Sequence, residues 1–129
     1  MDKKKVLVVD DEIHIVHIVA IKLRNNGYEV VSAENGQQGF ELACEEMPDI
    51  IITDFQMPIL NGLEFVRKLR ENEKTSDIPV VMLTARGFSI EDEQKKQLNI
   101  SECLSKPFSP RELLMNIEDI LHARQMLAH

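Results

Sequence analysis

The sequence lacks several features on which whole classes of protein depend. Cysteine occurs only twice, as Cys44 and Cys103, which is too few for a disulfide framework or a zinc site. Their apolar neighbours are typical of small core residues. The N-terminal apolar run at residues 6–9 is too short for a signal peptide, and no stretch approaches the roughly 18 apolar residues of a membrane-spanning helix. We therefore expect a cytoplasmic protein that makes no contact with a membrane.

Positive charge is also scarce. The formal net charge is −7 at pH 7, and basic residues cluster only at residues 3–5 and 95–96. Domains that bind nucleic acid usually carry a basic face. The composition therefore argues against direct contact between this domain and nucleic acid.

The chain has no linker rich in glycine, serine or proline, no internal repeat and no low-complexity tract. Its 129 residues, of which 43% are hydrophobic and 29% are charged, suit one globular domain with a substantial core. We therefore predict a single domain over residues 1–129.

Short apolar runs alternate with segments of helical period. The runs predict five strands, at residues 6–9, 28–31, 50–52, 79–83 and 102–104. A helix is expected after each strand, and the first should bury Ile13, Val16, Ile18, Val19 and Leu23. Three helix starts are marked by an N-cap residue with an acid three residues later: Asn61 with Glu64, Ser89 with Asp92, and Ser109 with Glu112. This alternation predicts a doubly wound α/β domain around a five-stranded parallel sheet.

The third strand carries the most informative residue of the sequence. Three consecutive isoleucines, residues 50–52, predict a central strand that is buried on both faces, and Asp54 follows them. Burying an ionised carboxylate costs several kcal/mol unless a charge or hydrogen bonds compensate it. Asp54 is therefore either a cap that water reaches or a residue with a chemical purpose.

Polar residues also follow strands one, four and five. Ligands of an open parallel sheet bind beyond the carboxyl ends of its strands, where the strand order reverses. At those ends lie an acidic run, residues 10–12, then Asp54, Thr84 and Lys106. Each alone could be a helix cap or a solvated charge. Their shared position at one edge of the sheet favours a functional site.

Chemistry narrows the kind of site. If the strand order reverses between strands one and three, Asp10, Asp11 and Asp54 converge, and three clustered carboxylates require either raised pKa values or a cation. Mg²⁺, with Mn²⁺ as the alternative, suits oxygen ligands of this kind. Thr84 and Lys106 could contact the oxygens of a phosphoryl group, for which Asp54 would be the nucleophile.

In combination, these residues resemble the receiver domains of two-component response regulators, the CheY-like family. The resemblance runs from Lys4 to about Ala123. Its motifs are an acidic pair at residues 10–11, Asp54 with a proline four residues later, Thr84 followed by alanine, and Lys106 followed by proline and phenylalanine.

The resemblance implies a (βα)5 flavodoxin-like fold with strand order 2-1-3-4-5. It implies that Asp54 accepts a phosphoryl group from a histidine kinase or a phosphotransfer protein, and that Thr84 and Lys106 contact the phosphoryl oxygens. Mg²⁺ would be bound by Asp11, Asp54 and the backbone carbonyl of Gln56, with Asp10 helping directly or through water. The Lys106–Pro107 peptide bond is expected to be cis.

The resemblance also implies a signalling protein and not an enzyme that acts on other substrates. The phosphorylated domain would change conformation to control an output protein or a downstream domain. Homodimerisation through the face of helix four, strand five and helix five is a further expectation. Because Cys103 stands where many relatives have an aromatic residue, we expect the signal to pass from Thr84 through residues 84–88, with Phe88 as the apolar reporter.

Other classes fit the sequence less well. Aspartate-nucleophile phosphohydrolases have a second aspartate two residues after the nucleophile, where Gln56 cannot transfer a proton. A flavodoxin-type binder needs a phosphate loop after strand one, where the acidic run would repel a phosphate. A pseudo-receiver that acts only as a scaffold is disfavoured because no member of the site is missing. His14 and His17 are interpreted as exposed residues on a helix face.

Overall fold

Strands and helices alternate along the whole of the chain that the computed structural model describes, residues 3–85 and 90–127. The strands are β1 (Lys5–Val9), β2 (Glu29–Ala33), β3 (Ile50–Asp54), β4 (Val80–Thr84) and β5 (Glu102–Ser105). The helices are α1 (Ile13–Arg24), α2 (Gly36–Glu46), α3 (Gly62–Glu71), α4 (Asp92–Gln97) and α5 (Pro110–Leu127). Within these described ranges, no helix has the length and apolar character needed to cross a membrane.

The five strands form one parallel sheet in the order β2-β1-β3-β4-β5, which confirms the predicted α/β fold and strand order. Val9 pairs with Thr53, and Asp54 pairs with Leu83. Thr84, the last residue of β4, pairs with Ser105, the last residue of β5. The register therefore brings the carboxyl ends of β1, β3, β4 and β5 to one edge of the sheet.

The core lies on both faces of the sheet, because alternate residues of each strand point to opposite sides. One cluster joins α1 and α5 to strand residues that include Val8, Ile52 and Leu83. The other joins α2 and α3 to strand residues that include Ile51 and Met82. All five residues of β3 and all five of β4 are buried, as the apolar run at residues 50–52 predicts for a central strand.

The predicted buried face of α1 is partly wrong. Val16, Val19 and Leu23 are buried, and Ala20 completes the stripe. Ile13 and Ile18 are instead 54% and 50% exposed. The helix is apolar around most of its circumference, so its sequence period does not define which side faces the sheet.

The ends of other elements agree more closely with the predictions. Asn61 and Glu64 form a complete capping box at the start of α3. At the start of α5 the Ser109 hydroxyl accepts a hydrogen bond of 3.4 Å from the Glu112 N–H. Strand β2 runs two residues beyond its predicted end because it pairs with the full length of β1. The predicted cap at Ser89 lies outside the described residues.

The loop between β3 and α3 turns back tightly at its end. The N–H of Gly62 donates a 2.7 Å hydrogen bond to the carbonyl of Phe55. A Cβ atom at residue 62 would lie 2.7 Å from the carbonyl oxygen of Asp54 and 2.6 Å from the Met82 sulfur. Glycine at this position therefore allows α3 to begin directly against the end of β3, which holds Asp54 at the sheet edge.

Candidate functional site

A lysine and three carboxylates meet at the carboxyl ends of the strands. The Lys106 Nζ, which follows β5, lies within ion-pair distance of acids that follow β1 and end β3. The distances are 3.0 Å to Glu12 Oε1, 3.2 Å to Asp10 Oδ2 and 3.4 Å to Asp54 Oδ1. The structure thus brings Asp10, Asp54 and Lys106 together, as expected from their shared sheet edge, but the third carboxylate of the cluster is Glu12 and not the expected Asp11.

The members of this cluster differ in their exposure to water. The side chains of Asp10 and Asp54 are 0% and 8% exposed, and that of Lys106 is 17% exposed. The Glu12 side chain is 56% exposed. Two of the three negative charges are therefore held in a setting from which water is largely excluded.

Burial changes the protonation of the two inner carboxylates. Loss of hydration, reinforced by the charge of Asp10, raises the pKa of Asp54 to about 6, although Lys106 and the Phe55 N–H oppose the change. Burial likewise raises the pKa of Asp10, against the opposing effects of the Glu12 N–H, which donates to Asp10 Oδ1 at 2.9 Å, and of Lys106. Both inner carboxylates, with raised pKa values, are therefore harder to ionise than carboxylates in water.

The ammonium itself is stabilised by its neighbours. Burial alone would lower the pKa of Lys106, but the hydrogen bond to Glu12 and the charges of Asp10 and Asp54 outweigh this effect and leave the pKa raised. Lys106 is therefore positively charged at neutral pH and is held directly beside Asp54.

An open crevice of about 280 Å³ leads to these groups. It is lined by Asp11, Glu12, Asp54, Gln56, Ala85 and Lys106. Asp11 is exposed at its rim, and Gln56 lines it two residues after Asp54. The predicted site residues Asp11, Asp54, Gln56 and Lys106 therefore all border one polar space.

Thr84 lies at the same sheet edge but its hydroxyl is engaged elsewhere. The side chain is buried, and its hydroxyl donates a long hydrogen bond of 3.4 Å to the carbonyl of Leu104 on β5. Thr84 is not among the residues that border the crevice. Its hydroxyl would have to leave Leu104 to meet a group bound at Asp54.

Glu12 is the residue that the sequence interpretation left out of the site. Oxygens of Asp10, Glu12 and Asp54 all lie within 4.8 Å of one another. This set of hard carboxylate oxygens fits a divalent cation such as Mg²⁺. The sequence did contain a signal for Glu12, because it is the third acid of the run at residues 10–12. Only Asp10 and Asp11 of that run were assigned to the site.

Further expectations have mixed outcomes. The Lys106–Pro107 peptide bond is cis, as the resemblance implied. Cys44 and Cys103 are partly and not fully buried, and Cys103 packs against the core cluster that joins α2 and α3 to the sheet, so their interpretation as core residues is correct only in part. Phe88, the expected reporter of the signal, lies outside the described residues. His14 and His17 are exposed on α1, as predicted.

An apolar groove of about 450 Å³ adjoins the crevice. Its walls are Ile15 and Ile18 of α1 on one side and Pro107, Phe108 and Pro110 on the other, and it shares Glu12 and Lys106 with the crevice. The polar site therefore opens beside a surface that is mainly hydrophobic.

Comparison with known proteins agrees with the architecture. A family model described as the response regulator receiver domain matches residues 6–118. The phosphate regulon transcriptional regulatory protein PhoB of Pseudomonas aeruginosa is 39% identical over 118 residues, covering 92% of this chain and 52% of that protein. The alkaline phosphatase synthesis transcriptional regulatory protein PhoP of Bacillus subtilis is 35% identical, covering 97% of this chain and 51% of that protein.

The solved structures include a domain of matching size. The chemotaxis response regulator CheY4 of Vibrio cholerae superposes with a TM-score of 0.85 at 34% identity, covering 92% of this chain and 99% of that one. The chain spans about half the length of the curated relatives PhoB and PhoP. The match of the family model over residues 6–118, together with these relatives, shows that the chain belongs to the family of response regulator receiver domains.

Proposed function

We propose that this receiver domain is a phosphoacceptor in which Asp54 receives a phosphoryl group in a Mg²⁺-dependent reaction. The donor would be a phosphohistidine of a histidine kinase or a phosphotransfer protein. The observation that carries the proposal is the position of Asp54, a buried carboxylate at the sheet edge with the Lys106 ammonium 3.4 Å away and an open crevice in front of it. A purely structural aspartate has no need of such access.

The proposed reaction is a direct transfer between donor and carboxylate. An Asp54 carboxylate oxygen attacks the phosphorus, a new P–O bond forms, and the P–N bond to the donor imidazole breaks. The imidazole leaves with the bonding electron pair. Lys106 compensates negative charge that develops beside Asp54, because its ammonium is fixed there before the donor arrives.

A divalent ion would supply further positive charge at the same place. We propose that Asp11, Asp54 and the backbone carbonyl of Gln56 bind Mg²⁺, or Mn²⁺ in its place, and that Asp10 contributes directly or through water. In support of this set, Asp11, Asp54 and Gln56 border one crevice, and oxygens of Asp10 and Asp54 lie within 4.8 Å of each other. Among the residues that the structure describes, three carboxylates surround one ammonium, which leaves a net negative charge that a divalent cation would neutralise.

Mg²⁺ at about ten times its Kd should raise the free energy of unfolding by about 1.4 kcal/mol, because the site is assembled only in the folded state. The Asp11→Ala variant should lose most of this increase. Asp119→Ala, which removes an exposed aspartate of α5, is the matched control and should retain it. Urea denaturation with Mg²⁺ or with a chelator measures the difference, and an undiminished Mg²⁺ effect in Asp11→Ala would remove Asp11 from the ligand set.

The competing enzymatic function has less support. A phosphohydrolase of the aspartate-nucleophile class would have a second aspartate two residues after the nucleophile, and at that position the crevice presents Gln56, which cannot transfer a proton. We therefore propose that the domain catalyses only its own phosphorylation and dephosphorylation.

Partners of two kinds follow from this role. A donor protein that reaches Asp54 would cover the apolar groove, which shares Glu12 and Lys106 with the crevice. The phosphorylated domain would then control an output protein or a downstream domain. A homodimer through α4, β5 and α5 stays a prediction; Met115 of α5 is an exposed apolar residue, 55% accessible, that such an interface could use.

Phosphoramidate, a small donor with a P–N bond, provides a test that needs no partner protein. With Mg²⁺ present, intact mass spectrometry should detect the addition of one phosphoryl group to the unmodified protein. The addition should require Mg²⁺ and should be absent in Asp54→Asn. Equal labelling of the two proteins would refute the assignment of Asp54.

A further inference from the structure

The three acids around Lys106 hold it in different ways. Asp10 and Asp54 are buried and contact its ammonium from the sheet edge at 3.2 and 3.4 Å. Glu12 makes the shortest contact, 3.0 Å, yet more than half of its side chain is exposed. One of the three partners of Lys106 is therefore on the solvent side and the other two are inside.

Glu12 also occupies a particular place on the surface. It lines both the polar crevice in front of Asp54 and the apolar groove beside it. Its N–H donates to Asp10, so its backbone is fixed to the site while its side chain stays accessible. An anionic phosphodonor that approaches Asp54 from the crevice would meet this carboxylate.

We propose that Glu12 is a positioning residue that acts as a displaceable counter-charge of Lys106 and slows the phosphorylation of Asp54. The proposal rests on the phosphoacceptor function described above. Glu12 holds the ammonium on the solvent side of the site while the site is unphosphorylated. Lys106 must release Glu12 before its ammonium can turn fully to a phosphoryl group on Asp54.

The unequal burial of the partners explains why Glu12 is the one that is released. An ion pair with an exposed partner contributes little to stability, since water competes for both charges. Separating Lys106 from buried Asp10 costs more, because water cannot replace the lost partner. Asp10 and Asp54 therefore keep the lysine in place without Glu12.

Acetyl phosphate is a suitable probe because it is small, anionic and independent of protein docking. A carboxylate oxygen of Asp54 attacks its phosphorus, a P–O bond to Asp54 forms, and the P–O bond to the acetyl group breaks. Acetate departs with the electron pair. Without the charge of Glu12 the donor meets less repulsion and Lys106 meets less competition, so both effects act in the same direction.

In the test, wild type and variants are incubated with Mg²⁺ and acetyl phosphate, and the rate of phosphoryl addition is followed by intact mass spectrometry. Glu12→Gln should be phosphorylated about three- to fivefold faster than wild type at low ionic strength, the range that the loss of one exposed ion pair allows. The gain should shrink as salt is added, because screening already weakens the interaction in the wild type.

Two controls separate this role from others. Glu41→Gln removes the same charge from an exposed position on α2 and should leave the rate unchanged. Glu12→Asp retains the carboxylate, and its rate should stay closer to wild type than to Glu12→Gln. A rate increase in Glu41→Gln equal to that in Glu12→Gln would assign the effect to net charge and overturn the proposal.

A readout other than phosphorylation tests whether Glu12 is instead a metal ligand. Calorimetric titration with Mg²⁺ should give similar affinities for Glu12→Gln and wild type. A loss of affinity of about tenfold or more, the effect expected for a site that has lost a ligand or its support, would overturn the counter-charge role. If the wild type is phosphorylated and Glu12→Gln is phosphorylated no faster, this inference alone is overturned. If the wild type is not phosphorylated at all, the phosphoacceptor function is overturned as well.

Discussion

Asp54→Asn should make the metal-free protein more stable at pH 7 by about 2 to 3 kcal/mol in the free energy of unfolding. The reason is the cost of keeping this carboxylate charged in the folded protein. Burial and the charge of Asp10 raise its pKa to about 6, whereas an unfolded chain leaves it near its ordinary value of 3.8. Asparagine has nearly the same shape and carries no charge, so the variant avoids this cost.

The sign of the effect depends on pH. Between the unfolded and folded pKa values of Asp54, the folded state binds more protons than the unfolded state, so stability falls as pH rises through this interval. The advantage of Asp54→Asn should therefore be small at pH 4, grow between about pH 4 and pH 6, and be complete at pH 7.

Urea denaturation in a chelator, at several pH values, measures this profile. Asp11→Asn is the matched control, because it removes an equal charge from the exposed rim of the same crevice and should change stability little. An Asp54→Asn variant that is no more stable than wild type at pH 7 would show that the charge of Asp54 is already compensated in the metal-free fold.

Lys106→Met should have the opposite effect and lower the free energy of unfolding of the metal-free protein at pH 7 by about 3 kcal/mol. Methionine keeps the length and the apolar stem of lysine but removes the ammonium. Asp10 and Asp54 would then remain buried without the ammonium that the described part of the chain places beside them. Protonation of these two acids limits the loss, so the deficit should shrink as pH falls toward 4.

Lys5→Met provides the comparison for Lys106→Met. Lys5 also lies near two carboxylates, at 2.9 Å from Glu46 and 3.6 Å from Glu29, but the Glu29 side chain is 55% exposed and that of Glu46 is 31% exposed. Its replacement should therefore cost less than that of Lys106. Equal losses in the two variants, measured by urea denaturation in a chelator, would contradict the view that Lys106 compensates buried charge.

The sequence was most informative where a residue type and a strand end coincide. The β-branched apolar run at residues 50–52 indicated a buried strand, and parallel strands bring their carboxyl ends together. The meeting of Asp10, Asp54 and Lys106 could therefore be predicted without coordinates. The strand order followed from the family resemblance, because the pattern of strands and helices alone is compatible with several orders.

Two features could not be predicted, each for a physical reason. The choice between Asp11 and Glu12 as the partner of Lys106 depends on the backbone between β1 and α1, where Glu12 is extended with φ −90° and ψ 105° before the helix begins. The chain bends at Asp11, and the direction of that bend, which decides where each acid points, cannot be read from the sequence. The buried face of α1 was ambiguous because isoleucine or valine occurs on nearly every side of that helix.

The most direct measurement locates the phosphoryl group on the chain. The protein is incubated with Mg²⁺ and acetyl phosphate and then treated with borohydride, which reduces an aspartyl phosphate to homoserine, and its peptides are sequenced by mass spectrometry. Homoserine should be found at position 54, only when Mg²⁺ and the donor are both present. Homoserine at another aspartate, or none at position 54 in a protein that has gained a phosphoryl group, would contradict the assignment of Asp54 as the phosphoacceptor.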